Sequence, residues 1–408
     1  MKRVRIGIIG CGSVVEWTLL PTLSSPDVVS PPDVGAWWAR RGDNADIQYQ
    51  APARPEIVAI AETESEQRSR RVERVAQMAR VRGVYSDWRS MLREVELDAL
   101  LCIASPAVTA EVISATGGTK PLWIYGAPSA SISSLRRLRD GLDGRDTKLW
   151  CSWPLRSTSA HRAARQLIER DQIGAPTSLV LRWPNAWESN IEHDANRFSS
   201  ALAALDLLRT VAETPTSSTR SERSNTSFQA GACAFENNAA TQVLLRFANG
   251  TNASALFSGG ETWSAPLPRL EICGTQGRWM ACESGRRLWL HHPRESARFW
   301  EPPGISNHVS GANVAGIAED LKAFLAFCVD EMTSSTRTSA REGVPHNALR
   351  DYEVAWRWHQ TICDSLSSGQ FAALSPQNLA HRIDEPPTDA PPIARIAPAL
   401  SPTLTLPL

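Results

Sequence analysis

Five short, unbroken apolar runs, at residues 4–9, 57–61, 99–104, 122–125 and 149–153, recur through the first 153 residues of a 408-residue chain. Unbroken rather than alternating apolarity marks strands covered on both faces, as in a parallel sheet. Between the runs, Val72, Val75, Ala76 and Ala79 repeat at helical spacing, while Arg68, Arg70, Arg71 and Arg74 take the opposite side and read as a solvated helix face. Strands alternating with helices make right-handed βαβ units, so residues 1–153 are predicted to form an α/β domain with a doubly wound parallel sheet.

From about Thr177 the pattern changes. Alternating strands at 241–247 and 252–258 flank Ala248-Asn249-Gly250-Thr251, and an Asn-Gly pair between such strands is a strong hairpin signal. A second glycine-bearing turn, Gly274-Thr275-Gln276-Gly277, joins strands at 270–274 and 278–282. Helices near 312–331 and 347–366 close this part. Residues 154–372 thus read as a second, α+β domain on a large, mostly antiparallel open sheet. A proline- and alanine-rich tail, 373–408, is expected to lack fixed structure. Residues 24–55 read as an inserted loop, with a short helix at 34–41.

Composition narrows the partners. Forty-three basic and 43 acidic residues give a formal charge of zero, without the electrostatic footprint of a nucleic-acid or anionic-membrane binder. The eight cysteines show no C-x-x-C spacing, and no apolar run approaches the roughly 18 residues of a membrane span. A soluble, cytoplasmic chain without disulfides is expected. His291 and His292 are adjacent on a strand and point to opposite faces, with no cysteine or carboxylate at ligand spacing, so no metal is predicted. His161 and His359 read as satisfied helix residues. The 15 tryptophans, Trp37, Trp38, Trp183, Trp263 and Trp300 among them, are assigned to core and subunit packing.

The first apolar run ends in Gly10-Cys11-Gly12-Ser13-Val14-Val15. Gly10 permits a tight turn, and Gly12 lets a pyrophosphate approach the backbone at the positive end of the following helix. The third glycine position of such a motif is Val15, whose bulk is expected to push helix and strand apart. Glu62 closes the second apolar run, where a carboxylate meets the adenosine ribose hydroxyls and repels a 2′-phosphate. NAD is therefore expected in preference to NADP. The alternative for Glu62 is a surface residue at a helix start.

With these elements in place, the chain to about residue 372 resembles the Gfo/Idh/MocA family, named for glucose-fructose oxidoreductase and inositol dehydrogenase. The likeness rests on ordered segments: Gly10-Cys11-Gly12 with Leu20-Pro21, Tyr85-Ser86-Asp87-Trp88 with Met91, Ser105-Pro106 after the third apolar run, Ile173-Gly174-Ala175-Pro176, Asn249-Gly250, and Ala348-Leu349-Arg350-Asp351. It implies an N-terminal Rossmann domain, a second domain whose sheet carries homo-oligomer contacts, and a sugar- or polyol-like substrate held between them. The implied cofactor contacts are Gly10, Gly12, Ser13, Val14, Glu62, Ser105, Pro106 and Gly126, and the resemblance places Trp187 near the substrate cleft, with Glu188 where the family often has arginine.

The chain departs from the family where the chemistry would be. The position of the family's Glu-Lys-Pro lysine is Ala127, in Tyr125-Gly126-Ala127-Pro128, and that of its histidine is Ala203, three residues before Asp206. The earlier acidic position is Ser199. Of only four lysines, Lys2, Lys120, Lys148 and Lys322, none stands at the right end of the fourth strand. A positioned base is worth about 10² to 10⁴ in rate, so another group must serve or the chemistry is gone. Tyr125 faces the same way as position 127 and is the first substitute, a phenol expected to titrate low beside a nicotinamide cation; a packing role is its alternative. His193 with Asp194 is the second, and Asp206 the third. Two functions follow: a divergent NAD(P)-dependent oxidoreductase, or an inactive nucleotide-binding sensor or partner subunit.

Overall fold

The computed structural model describes residues 2–24, 53–62, 66–81, 83–116, 119–143, 147–216, 228–234, 240–258, 268–283, 285–301, 312–333, 348–368 and 372–374. Trp37, Trp38, Trp263, the helix expected at 34–41 and the tail from 375 lie outside them. Six strands form the first sheet: β1 (Lys2–Ile9), β2 (Ala53–Ala61), β3 (Gly83–Tyr85), β4 (Ala99–Cys102), β5 (Leu122–Ile124) and β6 (Leu149–Cys151). Their order is β3-β2-β1-β4-β5-β6 and every pairing is parallel, the doubly wound arrangement that unbroken apolar runs predict. All four side chains of β4 are buried. Each such Leu or Ile is worth about 1.5–3 kcal/mol of burial.

What covers this sheet comes partly from the far end of the chain. On one face Val4, Ile6 and Ile8 pack with Val72 and Val75 of helix Glu66–Ala79 and with Ile317, Leu321 and Phe324 of helix Ala312–Thr333. On the other, Met91, Val112 and Leu135 lie with Leu349 and Tyr352 of helix Ala348–Ser368. A cut at residue 153 therefore separates strands from their cover. Asp87 shows why its motif has that shape: its carboxylate accepts the Arg89 and Ser90 N–H groups, capping helix Trp88–Glu94, and this places Trp88 and Met91 in the core. Those backbone bonds, Arg89's foremost, hold the Asp87 pKa below the usual carboxylate range.

The second sheet has nine strands, β7 (Pro176–Trp183), β8 (Phe228–Ala234), β9 (Ala240–Phe247), β10 (Asn252–Ser258), β11 (Arg269–Gly274), β12 (Trp279–Glu283), β13 (Arg287–His292), β14 (Glu295–Trp300) and β15 (Ala372–Leu374). Their order is β14-β13-β12-β11-β7-β10-β9-β8-β15, and only β7–β10 is parallel. Gly250 turns the β9–β10 hairpin at φ +87°, a conformation other residues rarely adopt. One face packs on helices Ser159–Glu169, Ala195–Ala212 and Ala348–Ser368. The opposite face leaves Val180, Leu244, Leu256 and Phe299 exposed.

Among the described residues no helix is long and apolar enough to cross a membrane, and no cluster of His, Cys, Asp and Glu could hold a metal ion. His291 stacks on Trp279 with ring centroids 3.7 Å apart, while His292 accepts from Arg294 N.

Candidate functional site

A cleft of about 610 Å³ runs from the β1 turn to the helices beside the second sheet. All eight residues expected to contact a cofactor line it: Gly10, Gly12, Ser13, Val14, Glu62, Ser105, Pro106 and Gly126. Gly10 has φ +95°, and a Cβ there would lie 2.1 Å from Ile103 O, so no other residue fits. At Gly12 and at Gly126 (φ +101°) a Cβ would meet nothing within 4 Å, since both backbones face open space. Val15 is buried at the start of a π-helical turn, Val15–Leu19, wider than an α-turn, in which Leu20 N–H donates to Val15 O. The bulk expected to part helix and strand thus coincides with a change in helix winding.

Glu62 accepts the Cys11 N–H at 2.7 Å, which ties the end of β2 to the glycine turn. Burial, aided by the Glu62 charge, pushes the Cys11 thiol up to about 12, so it stays protonated. On helix Glu66–Ala79 the side chains of Arg70, Arg71 and Arg74 are exposed, as a solvated face predicts, and two of them also meet other groups. Arg71 lines the cleft near Glu62, and Arg74 pairs with buried Glu16 at 2.7 Å.

The three acid–base candidates are not brought together. Tyr125 lines the cleft with its ring stacked on Trp123 at 6.1 Å, and burial raises its pKa, opposite to the lowering expected. His193 is exposed, 3.7 Å from Glu188, and is absent from the lining; its neighbour Asp194 caps helix Ala195–Ala212 by accepting the Asn196 and Arg197 N–H groups. Asp206 is buried behind the wall, held by Arg156 at 2.6 and 2.5 Å and by Arg209 at 3.0 Å, and both arginines also reach Asp351. Burial alone would raise the Asp206 pKa, but the two guanidinium groups outweigh it and the net shift is down.

Other residues furnish the far end. Trp183 Nε1 and Asn185 Nδ2 both donate to Ser200 Oγ, at 3.0 and 2.8 Å, so the Ser200 proton is directed to a third group. Trp153 stacks on Tyr352 at 4.7 Å. Arg197 is the one charged side chain among the described residues of this wall, and none of these residues entered the expected site. Trp187 instead stacks on His359 at 4.4 Å and packs against the core. Burial lowers both His161 and His359 to about 4, and each ring is hydrogen-bonded, as a structural histidine should be. Lys120 Nζ donates to Leu97 O. Among the described residues lining the cleft there is no lysine and no histidine.

No family model and no curated protein matches the sequence. Solved structures do. A levoglucosan dehydrogenase in complex with NADH and levoglucosan is 15% identical with a TM-score of 0.66, over 91% of this chain and 99% of that one. A myo-inositol dehydrogenase from Corynebacterium glutamicum is 16% identical with a TM-score of 0.61, over 92% and 99%. A dehydrogenase from Chromobacterium violaceum is 16% identical with a TM-score of 0.64, over 94% and 100%. At such identities the likeness shows the fold, the two-sheet architecture that the resemblance to Gfo/Idh/MocA dehydrogenases implied.

Proposed function

We propose that the chain is a nicotinamide-dependent oxidoreductase that takes NAD in preference to NADP and acts on a sugar- or polyol-like hydroxyl. The observation that carries this is a cleft in which backbone left open at Gly12 and Gly126 faces a wall of hydroxyl, amide and aromatic groups with Arg197. Residues at the turn fit a dinucleotide. The amides after β1 suit a diphosphate, Glu62 suits ribose hydroxyls, and Ser105, Pro106 and Gly126 border the place of the nicotinamide. When bound, that group supplies the hydride acceptor. Neighbours of this fold hold NADH with levoglucosan or L-sorbose, and the far end of this cleft offers the polar groups of Asn185, Ser200 and Arg197 beside the rings of Trp153 and Tyr352.

In this reading Ser200 donates to a substrate oxygen, and Trp153 with Tyr352 forms a shelf for the apolar face of a sugar ring. Tyr125 stays a phenol and donates a hydrogen bond to the reacting oxygen. The proposal extends to a homo-oligomer joined through the exposed face of the second sheet, where Leu244, Ser254 and Val180 follow one another across β9, β10 and β7, and to the cytoplasm. Tryptophan-fluorescence titration with NADH tests the reading, followed by hydride exchange over a panel of sugars and polyols. Saturable binding with turnover is expected. Binding without turnover on any of them would overturn the enzymatic part, and no binding would overturn the whole.

A further inference from the structure

The charges along the cleft are placed unevenly. Among the described residues that line it, Glu62 and Arg71 stand at the nucleotide end, and Arg197 is the only charged side chain at the other. Arg197 lies in the first turn of helix Ala195–Ala212, behind its cap Asp194. Asp194 Oδ1 accepts the Asn196 and Arg197 N–H groups, each at 3.0 Å, while Oδ2 stands 3.4 Å from Arg197 Nε without a hydrogen bond between them. The guanidinium is more than half exposed. Its Nη1–Nη2 edge is therefore open to a partner from the cleft.

The other acids of this region are engaged elsewhere. Glu188 accepts the Asn190 N–H at 2.9 Å and faces His193, and Asp206, further along the same helix, is buried between Arg156 and Arg209. The helix itself favours an anion at this end, because 18 residues of aligned peptide units leave the positive end of the dipole at the first turn. Ala195 and Asn196 of that turn also line the cleft. One mobile carboxylate would meet a full positive charge and a partial one, opposed by no lining acid among the described residues.

The same helix sets the length of what fits. Arg197, Ser200 and Ala203 follow one another at i,i+3 spacing and all line the cleft. Ala203 packs with the cluster that holds Ala127 and Trp153, on the side proposed for the nicotinamide. From Ala203 back to Arg197 the helix rises about 9 Å, and helical side chains lean toward the N-terminus, which lengthens the reach. A short 2-hydroxy acid, whose carboxylate adjoins the reacting carbon, cannot span that distance. A hexose with a carboxylate remote from the reacting hydroxyl can. A phosphate dianion would bring two charges to one guanidinium.

Resting on the oxidoreductase reading above, we infer that Arg197 is the specificity residue of the cleft and that the substrate is a sugar acid of the hexuronate class. Its carboxylate takes two parallel bonds from Arg197 Nη1 and Nη2, the fork that suits a planar anion. Ser200 donates to a ring hydroxyl between, and Trp153 with Tyr352 carries the ring.

Glucose, galactose and mannose, each compared with its hexuronate and its 6-phosphate as substrates with NAD⁺, test this in the unaltered protein. At least one hexuronate is expected to exceed its neutral hexose ~10-fold or more in kcat/KM, chiefly through KM, as hydrogen bonds to a charged group imply. Equal values, or a preference for the 6-phosphate, would overturn the inference. Arg197→Ala is expected to bring the ratio of hexuronate to hexose within ~3-fold of one, and Arg197→Lys to leave an intermediate ratio, because charge persists without the fork. A ratio unchanged by Arg197→Ala would overturn it too. Calorimetric titration of the same hexuronate into the NADH complex needs no turnover, and its affinity is expected to fall ~10-fold or more in Arg197→Ala. Failure of NADH to bind the unaltered protein removes the oxidoreductase reading first, whereas an NADH complex that holds the hexuronate no more tightly than the hexose overturns this inference alone.

Discussion

The two ends of the cleft are made of different material. At the end proposed for the nucleotide the surface is largely main chain, shaped by Gly10, Gly12 and Gly126. At the substrate end it is side chain, Asn185, Ser200, Trp153 and Tyr352, carried on helices and loops beside the second sheet. A surface of amides needs a few glycines at fixed places and tolerates almost anything elsewhere. A surface of side chains can be rewritten one residue at a time without disturbing the scaffold, which is how alanine can stand at 127 and 203 while the fold persists.

That contrast can be broken most forcefully from behind the substrate end. Asp206→Asn would leave Arg156 and Arg209 to share the half-buried Asp351 without their fully buried counter-charge, and removing one partner of a buried pair costs about 3–5 kcal/mol. A large fall in the urea midpoint is expected, and a fall under about 1 kcal/mol would show that the cluster holds nothing.

Acid should act through the same region. With His161 and His359 at about 4 when folded and about 6.5 when unfolded, the unfolded chain takes up protons first as pH falls. Stability is therefore full above about pH 6.5 and declines toward pH 4, by about 3 kcal/mol per histidine. His359→Gln should flatten that decline in urea titrations run at successive pH values.

At the opposite end, Gly12→Val meets open space and should leave the melting temperature unchanged, yet weaken NADH binding at least ~100-fold, which is about 2.7 kcal/mol. Equal affinity in a fluorescence titration would mean that no ligand approaches that backbone. The smallest effect is expected from Tyr125→Phe, with NADH affinity kept and turnover reduced no more than ~10-fold, about the worth of one hydrogen bond. A greater loss would place proton transfer on the phenol.

These differences also explain what was legible. Five of the six strands of the first sheet announced themselves because burial on both faces leaves apolar runs, while β3, a three-residue edge strand with no fully buried side chain, did not; the β9–β10 hairpin did because Asn249-Gly250 has a backbone requirement. All eight residues expected around the nucleotide meet in one cleft for the same reason. Ser200 carries no such mark, since a serine is unremarkable until its neighbours are known. Arg71 was hidden among arginines of one helix, of which Arg74 turned to a buried glutamate. Asp206 was named for its place in the resemblance, but its burial against Arg156, 50 positions away, was not legible in the helix that carries it.

The helices Ala312–Thr333 and Ala348–Ser368 close both faces of a sheet whose strands were complete by residue 151. A ribosome must therefore emit more than 300 residues before the opening strands are roofed over. Until then Val4, Ile6, Ile8 and Trp123 lack part of their shelter, and a truncated product ending near residue 153 would offer that greasy face to chaperones or to its own kind.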